Sequence, residues 1–189
     1  MSDIALLPHV ETFLRRQHGL FIDGVSVRSH ASQTLTVTNP ATGQVIAEVA
    51  DADVADIDAA VASANRGFKQ WSQAAPATRG NVLLKLADLL EQNREELAQI
   101  ETCQSGKIIQ ISRAFEVDQA THFLRYYAGW ATKISGQTLT PSLPSFNGER
   151  YTAFTLREPV GVVVGIVPWN FSTMIAIWLS LIHISEPTR

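Results

Sequence analysis

The chain has 189 residues, a formal net charge of -3, and 46% hydrophobic and 17% charged side chains. These values predict a globular protein that forms one domain or a large part of one. No run of Lys and Arg is present, which argues against nucleic acid as a partner. The single cysteine, Cys103, excludes an internal disulfide and favours a reducing compartment, so we expect a cytoplasmic protein.

The first 50 residues predict a short helix followed by strands. MSDIALLPHVETFLRRQHG begins with an acid and carries its arginines at the far end, the reverse of a secretory signal, and predicts a short surface helix. GLFIDGVSV predicts a hairpin that turns at Asp23-Gly24. TLTVTNPATGQVIAEV predicts two strands joined by a turn at Asn39–Gly43.

Helices are predicted between residues 53 and 130. The first has Asp53 as its expected N-cap, and the second follows Pro76. The third begins near Arg94, and the fourth runs from about Ser112 to Trp130. The order of strands, helices and strands predicts a mixed α/β fold whose parallel sheet begins only at the end of the chain. One apolar face of the first helix is expected to be Val54, Ile57, Val61, Ala64, Phe68 and Trp71.

An extended region is predicted after the helices. QTLTPSLPSFNGERYTAFTLREPVGVVVGIV is expected to turn between strands at Asn147-Gly148, and its β-branched run Val160–Val167 predicts a strand. From Pro159 to Ser185 the sequence has no Asp, Glu, Lys or Arg, a length that would also span a bilayer. Two glycines and a proline interrupt this run and favour a strand and a turn over a membrane span.

Several reactive or charged side chains lack a supporting motif. Cys103 has no histidine in a local catalytic signature, so we expect a buried, inert thiol. Gly106-Lys107 lacks the preceding glycine of a phosphate-binding loop and instead predicts a helix end at Gly106. Glu116 and Asp118, two positions apart, point to different faces and cannot form a carboxylate pair. No metal is expected, because metal-ligand spacing is missing at His9, His18, His30 and His122.

GIVPWNF is the most informative segment for function. A strand ending at Pro168 places Trp169 and Asn170 beyond its carboxyl end, where open α/β sheets bind ligands. The Asn170 amide is suited to donating hydrogen bonds to a developing oxyanion, and the alternative is that it caps a helix beginning near Ser172. One face of that helix either lines a substrate channel or packs on the sheet. This face carries Phe171, Met174, Ile175 and Trp178.

Distributed motifs in residues 1–178 resemble the amino-terminal part of the aldehyde dehydrogenase superfamily, most closely its phenylacetaldehyde dehydrogenase type. They are LFIDG, TNPATGQVIAEV, DIDAAVASANRGF, AFEVDQATHFLRYYAGWATKISG and REPVGVVVGIVPWNF. The resemblance implies an α/β fold, with an incomplete Rossmann-like cofactor domain and an oligomerisation hairpin. It also implies an enzyme that oxidises an aldehyde to a carboxylic acid with NAD, or with NADP.

Roles for individual residues are also implied by the resemblance. Asn170 would donate to the oxyanion and contact the cofactor. The other cofactor-binding positions would be Ile166, Val167, Pro168 and Trp169. An apolar channel for an aryl or arylalkyl aldehyde would be lined by Phe171, Ile175 and Trp178. The catalytic cysteine and glutamate of the family lie farther downstream, and Cys103 matches neither. Ser172 departs from the family, which usually has a proline there.

The same resemblance divides the chain into segments. Residues 1–137 would belong to the cofactor-binding domain, 138–156 would form the oligomerisation hairpin, and 157–178 would supply the first strand and helix of the dinucleotide fold. We expect the parent enzyme to be a homodimer or homotetramer.

The end of the sequence has a different origin in this interpretation. LSLIHISEPTR, residues 179–189, resembles a translated sequencing adapter, so we expect a non-native tail on an inactive fragment. The alternative is a non-catalytic binding protein or a tail-anchored membrane protein.

Overall fold

The computed structural model describes residues 5–185. Its strands are β1 (Gln17–His18), β2 (Leu20–Ile22), β3 (Val25–Val27), β4 (Thr34–Thr38), β5 (Val45–Ala50), β6 (Thr138–Leu139) and β7 (Ala153–Phe154). Its α-helices are α1 (Pro8–Leu14), α2 (Val54–Trp71), α3 (Pro76–Gln92), α4 (Arg94–Ser105), α5 (Ile109–Ile111), α6 (Gln119–Ala128) and α7 (Ser172–Ser185). A π-helix, Ser112–Asp118, joins α5 to α6, and a 3₁₀ turn, Trp169–Phe171, precedes α7.

The amino-terminal strands form two small sheets. Strands β2 and β3 form the predicted hairpin, and both turn residues, Asp23 and Gly24, have the positive φ angles of a tight hairpin turn. Strands β4 and β5 pair antiparallel, as the sequence predicted, and β1 adds to β5 in parallel. The expectation that parallel pairing begins only at the end of the chain was therefore wrong. A two-residue strand such as β1 was too short to recognise from its sequence pattern.

The helices build the main hydrophobic core. Helices α3, α6 and α7 enclose a buried cluster of Leu83, Ala87, Leu124, Ala128 and Leu181. Helix α3 approaches α6 closely at Gly80, where an added Cβ would lie 3.0 Å from the carbonyl oxygen of Ala128. Leu181 falls in the segment expected to be a non-native tail, of which residues 186–189 lie outside the described residues. Helix α7 thus continues through the expected junction after Trp178.

Two helices differ from their expected burial. Helix α1 was expected on the surface, but Val10 and Leu14 are buried beside Cys103. The residues predicted to form one apolar face of α2 are largely uncovered, since Val54 and Ile57 are exposed. Helical spacing places apolar residues on one face, but only another element can cover that face, and the described chain supplies little cover there.

Residues 129–168, between α6 and the 3₁₀ turn, form little regular structure. Strands β6 and β7 pair antiparallel, and the turn between them includes Gly148 at φ 83°. The predicted strand Val160–Val167 was wrong, because residues 157–168 contain no strand and Ile166 is 88% exposed. A strand requires hydrogen bonds to a neighbouring strand, and none of the described segments pairs with this one.

The membrane-anchor alternative requires a long apolar helix. Among the residues described, no helix has both the length and the hydropathy needed to cross a bilayer.

Candidate active site

The predicted site lies where the extended segment meets α7. Pro168 has φ -72° and ψ 152°, so the backbone stays extended up to this residue. The 3₁₀ turn begins at Trp169 and leads directly into α7 at Ser172. Trp169 and Asn170 are both exposed. The turn therefore presents these two residues at the amino end of a helix, as the sequence predicted.

The side-chain amide of Asn170 is not used to cap the helix. The 3₁₀ turn has no side-chain cap hydrogen bond, and within residues 5–185 the Asn170 side chain makes no hydrogen bond. Its exposed N–H groups are therefore available to a ligand. Of the two alternatives left by the sequence, capping has no supporting side-chain hydrogen bond within residues 5–185, and a ligand-facing amide stays a prediction.

A buried ion cluster lies beneath the amino end of α7. Glu101 of α4 and Glu116 of the π-helix are 2% and 0% exposed. Lys107 lies between them, with its Nζ 2.6 Å from Oε1 of Glu101 and in contact with Oε1 of Glu116. We call these three residues the ion cluster.

Each carboxylate of the ion cluster also contacts α7. The Ser172 hydroxyl donates to Oε2 of Glu101 at 2.9 Å, and the backbone N–H of Met174 donates to Oε2 of Glu116 at 3.0 Å. Gln104 completes the contact by donating to Glu101 at 2.7 Å and to the Ser172 hydroxyl at 3.2 Å. Ser172 therefore ties α7 to α4.

The net charge of the ion cluster is favourable beside the amino end of α7. Its two carboxylates and one ammonium leave one negative charge in excess, and the amino end of a helix carries a positive partial charge. Lys107 Nζ also lies 4.6 Å from the ring centroid of Phe171, within the range of a cation–π contact. The ion cluster thus contacts Phe171, Ser172 and Met174 of one helical turn.

The residues predicted to line the aldehyde channel lie along α7 and the turn before it. Phe171 packs against Lys107, and Ile175 is half-buried. Trp178 contacts Phe123 of α6 edge to face, at 4.9 Å between ring centroids. Two of the three side chains therefore have apolar or cationic neighbours from other helices. Their role in substrate binding stays a prediction.

Cys103 lies apart from this turn. Its side chain is buried with Val10 and Leu14, and burial raises the pKa of the thiol. A thiol that stays protonated at neutral pH is a poor nucleophile. The expected burial of Cys103 is confirmed, and its low reactivity stays a prediction that the raised pKa supports.

One group of potential metal ligands occurs at the start of α2. Single ligand atoms of His30, Asp53 and Asp56 lie within 4.8 Å of one another. Asp53 and Asp56 form a capping box, and Asp56 also accepts hydrogen bonds from Ser29 and from His30. Hydrogen bonding from Ser29 and His30 lowers the pKa of Asp56, and the bond to Asp56 raises the pKa of His30. These contacts stabilise the start of the helix, where Asp53 was the predicted cap.

A cleft that the sequence did not predict lies between α2, α3 and the extended segment. Its volume is about 680 Å³. Its walls include Phe68, Trp71, Arg79, Ile134, Arg157 and Val160.

The ion cluster was also missed by sequence reasoning. Glu101 follows Leu97 by four positions and Glu116 precedes Phe123 by seven, so each carboxylate falls on an apolar helix face. A charge on an apolar face was the available signal. It did not identify Lys107 as the shared partner, because that contact depends on the path of the chain after Gly106.

Comparison with known proteins matches the chain to aldehyde dehydrogenases. The model of the aldehyde dehydrogenase family matches residues 27–184. Phenylacetaldehyde dehydrogenase from Pseudomonas fluorescens is 46% identical over 167 residues, which cover 87% of this chain and 33% of that enzyme. The putative aldehyde dehydrogenase DhaS from Bacillus subtilis is 43% identical, covering 89% of this chain and 33% of that protein.

Solved structures agree with these sequence matches. The NAD⁺ complex of an aldehyde dehydrogenase from Bacillus cereus superimposes with a TM-score of 0.89 at 39% identity, covering 98% of this chain and 37% of that chain. The predicted fold class, the amino-terminal part of the aldehyde dehydrogenase fold, is confirmed. The chain spans about a third of the length of the curated relatives it matches.

Proposed function

Because the chain belongs to the aldehyde dehydrogenase family, we propose that it forms the amino-terminal part of an enzyme that oxidises an aldehyde to a carboxylic acid with NAD or NADP. The observation that carries this proposal is the exposed Asn170 amide, which has no hydrogen-bond partner within residues 5–185. We place the enzyme in the cytoplasm, since its single cysteine here suits a reducing compartment.

In this proposal Asn170 stabilises charge on the substrate oxygen. Attack on an aldehyde carbon by a nucleophile turns the carbonyl oxygen into an oxyanion. The neutral Asn170 amide donates an N–H to that oxygen without gaining or losing a proton. The backbone of Asn170 is held at the start of a helix, so the amide reaches the oxygen from a defined position.

The segment before Asn170 suits a nicotinamide dinucleotide. Ile166 and Trp169 are 88% and 79% exposed, so they offer apolar surface to a planar ring. From Pro159 to Ser185 the sequence carries no Asp or Glu that would repel a phosphate. We propose that residues 166–170 contact the dinucleotide, which accepts a hydride when bound. The residues concerned are Ile166, Val167, Pro168, Trp169 and Asn170.

The proposed substrate is an aryl or arylalkyl aldehyde. Phe171, Ile175 and Trp178 follow one another at helical spacing beyond Asn170, so an apolar group bound along them would place its carbonyl near the amide. The 46% identity to a phenylacetaldehyde dehydrogenase supports an aromatic substrate.

The proposal also covers the rest of the enzyme. The nucleophilic cysteine and the glutamate that activates water would come from outside this chain, so we expect residues 1–189 alone to be inactive. Exposed apolar side chains in the segment 138–156 support its role as an oligomerisation hairpin in a homodimer or homotetramer. They are Leu139, Leu143, Phe146, Tyr151, Phe154 and Leu156.

The test uses the full-length enzyme, meaning the complete protein that contains this chain, with phenylacetaldehyde as substrate. We expect Asn170→Ala to lower kcat by on the order of 10²- to 10³-fold, because one oxyanion donor is lost. The affinity for NAD should change far less than kcat, because Asn170 is only one of the five residues proposed to contact the dinucleotide. Asn170→Asp should be at least as impaired, because a carboxylate repels the oxyanion.

A helix-capping role predicts the opposite pattern. Aspartate caps as well as asparagine, so a capping Asn170 would give an Asp variant with normal melting temperature and normal kcat. That result would contradict the oxyanion role. Measuring kcat, the Kd for NAD and the melting temperature of all three proteins separates the two roles.

A further inference from the structure

We propose that the ion cluster of Glu101, Lys107 and Glu116 positions Asn170 for catalysis by fixing the turn that carries it. This inference rests on the proposed function, because it takes Asn170 as the oxyanion donor. The three residues do not touch substrate in this proposal. They act through the backbone of residues 171–174.

The contacts of the ion cluster converge on one helical turn from three separate parts of the chain. Glu101 comes from α4, Lys107 from the loop after Gly106, and Glu116 from the π-helix. Their partners in the turn are the ring of Phe171, the hydroxyl of Ser172 and the backbone N–H of Met174. Three of the four positions that follow Asn170 are therefore held by different elements.

Asn170 depends on this support, because its own side chain has no anchor. Its amide makes no hydrogen bond within residues 5–185, and its side chain is exposed. With no partner for the amide in that range, only the backbone of the turn fixes the position from which this side chain reaches the substrate. A misplacement of about 1 Å at a catalytic group can lower a rate by about 10²-fold.

The ion cluster is poorly explained by stability alone. Removing two carboxylates and an ammonium from water is unfavourable, and apolar residues of similar volume often stabilise a fold as well or better. The cluster also uses a π-helix, Ser112–Asp118, which carries Glu116. Such helical irregularities occur often at functional sites. A positioning role gives a reason for both features.

Glu116→Gln in the full-length enzyme is the first test. The variant keeps the shape of the side chain and an oxygen for Met174 but removes the charge that holds Lys107. We expect kcat with phenylacetaldehyde to fall at least 10-fold while the Kd for NAD changes less than 2-fold.

Asp118→Asn is the matched control. Asp118 lies on the same π-helix but is exposed and pairs with Arg94, with 2.5 Å between its Oδ1 and the arginine Nε. The control removes one carboxylate from the same segment without touching α7. We expect its kcat to stay within about 2-fold of wild type. An equal loss in both variants would contradict the proposal.

A double-mutant cycle with Asn170→Ala then separates positioning from general destabilisation. If Glu116 acts through Asn170, Glu116→Gln should lower kcat less than about 2-fold once the amide is gone. The same fold loss with and without Asn170 would overturn the inference, even where Asn170→Ala by itself shows a large loss. A normal kcat for Asn170→Ala would instead overturn the proposed function together with this inference.

Ser172 provides a milder route to the same cycle if Glu116→Gln does not fold. Ser172→Ala removes one hydrogen bond to Glu101, whereas Ser172→Thr keeps a hydroxyl in its place. We expect Ser172→Ala to lower kcat about 3-fold and Ser172→Thr to restore it, with both effects lost in Asn170→Ala. A kcat of Ser172→Ala equal to wild type, or an unchanged loss in Asn170→Ala, would overturn the inference.

Discussion

The helices between residues 76 and 128 and the extended segment from 138 to 168 contain similar apolar side chains but bury them very differently. Leu83 and Leu124 in the helices are 2% and 1% exposed. Phe146 and Ile166 in the extended segment are each 88% exposed. Composition alone therefore does not decide burial in this molecule.

Backbone hydrogen bonding explains the difference between the two regions. A helix satisfies most of its own N–H and C=O groups, so α3 and α6 need only to pack side chains against each other. A strand needs a second strand, which here would come from a later part of the enzyme or from another subunit. We therefore regard α3, α6 and α7 as a core that packs within the described chain, and we propose that the extended segment is an interface.

The largest expected effect tests the helical core. Leu124→Ala removes most of a fully buried side chain between α3 and α6, so we expect the enzyme to lose roughly 3–5 kcal/mol of unfolding free energy. Thermal and urea unfolding of the full-length enzyme measure this loss. The mass of the enzyme in analytical ultracentrifugation should stay the same.

Phe146→Asp is the corresponding change in the extended segment. If the hairpin bridges subunits, a charge at this exposed apolar position should lower the mass of the assembly. An unchanged mass for Phe146→Asp would contradict the interface role of the extended segment. Dissociation of Leu124→Ala without loss of subunit stability would contradict the core role of the helices.

Local sequence signals predicted the ends of several helices correctly. Asp53 caps α2, Pro76 begins α3, and Gly106 ends α4 in the left-handed conformation. Each signal acts within a few residues of the chain, so no tertiary information was needed. The Asp23-Gly24 hairpin turn was predicted for the same reason.

Features that depend on distant parts of the chain were not predicted. Val160–Val167 has the composition of a strand but lacks a partner among the described segments. The ion cluster joins α4, a loop and a π-helix, so the spacing of Glu101, Lys107 and Glu116 along the sequence carries no sign of their contact. The placement of Asn170 in a turn before a helix was predicted, because its signal, a β-branched run ending in Pro168, is local.

Two glycines, one in each region, are expected to affect stability by an intermediate amount when changed to alanine. Gly106 at the end of α4 and Gly148 in the hairpin have φ angles of 76° and 83°. An added Cβ at Gly106 would lie 2.8 Å from Cγ of Pro40, whereas at Gly148 nothing lies within 4 Å. We expect Gly148→Ala to cost about 1 kcal/mol from backbone strain, and Gly106→Ala about 2–3 kcal/mol from strain plus crowding.

Melting temperatures of the two alanine variants test this expectation. Gly106→Ala should also lower kcat, because it displaces the loop that carries Lys107, and Gly148→Ala should not. Equal losses of stability would show that crowding against Pro40 is relieved at no cost. A normal kcat for Gly106→Ala would mean that Lys107 keeps its place despite the shift of the loop.

The smallest expected effect lies at the edge of the helical region, where His30 contacts the start of α2. Nδ1 of His30 lies 2.5 Å from Oδ1 of Asp56, and the hydrogen bond to this carboxylate raises the pKa of His30. The charged pair therefore stabilises the fold fully below the unfolded histidine pKa of about 6.5, and this contribution is lost as pH rises through the higher folded value. Hydrogen bonds from Ser29 and His30 lower the pKa of Asp56, so its carboxylate stays charged throughout this range.

We accordingly expect the melting temperature of wild type to fall relative to that of His30→Gln as pH increases from 6 to 9. The difference at pH 6 should be smaller than the loss in Gly106→Ala, because the His30 side chain is 66% exposed and water screens the pair. His122→Gln is the control, since His122 is exposed and has no carboxylate partner in the part of the chain that is described. A difference between wild type and His30→Gln that stays constant with pH would show that His30 contributes only as a hydrogen-bond donor, whatever its charge.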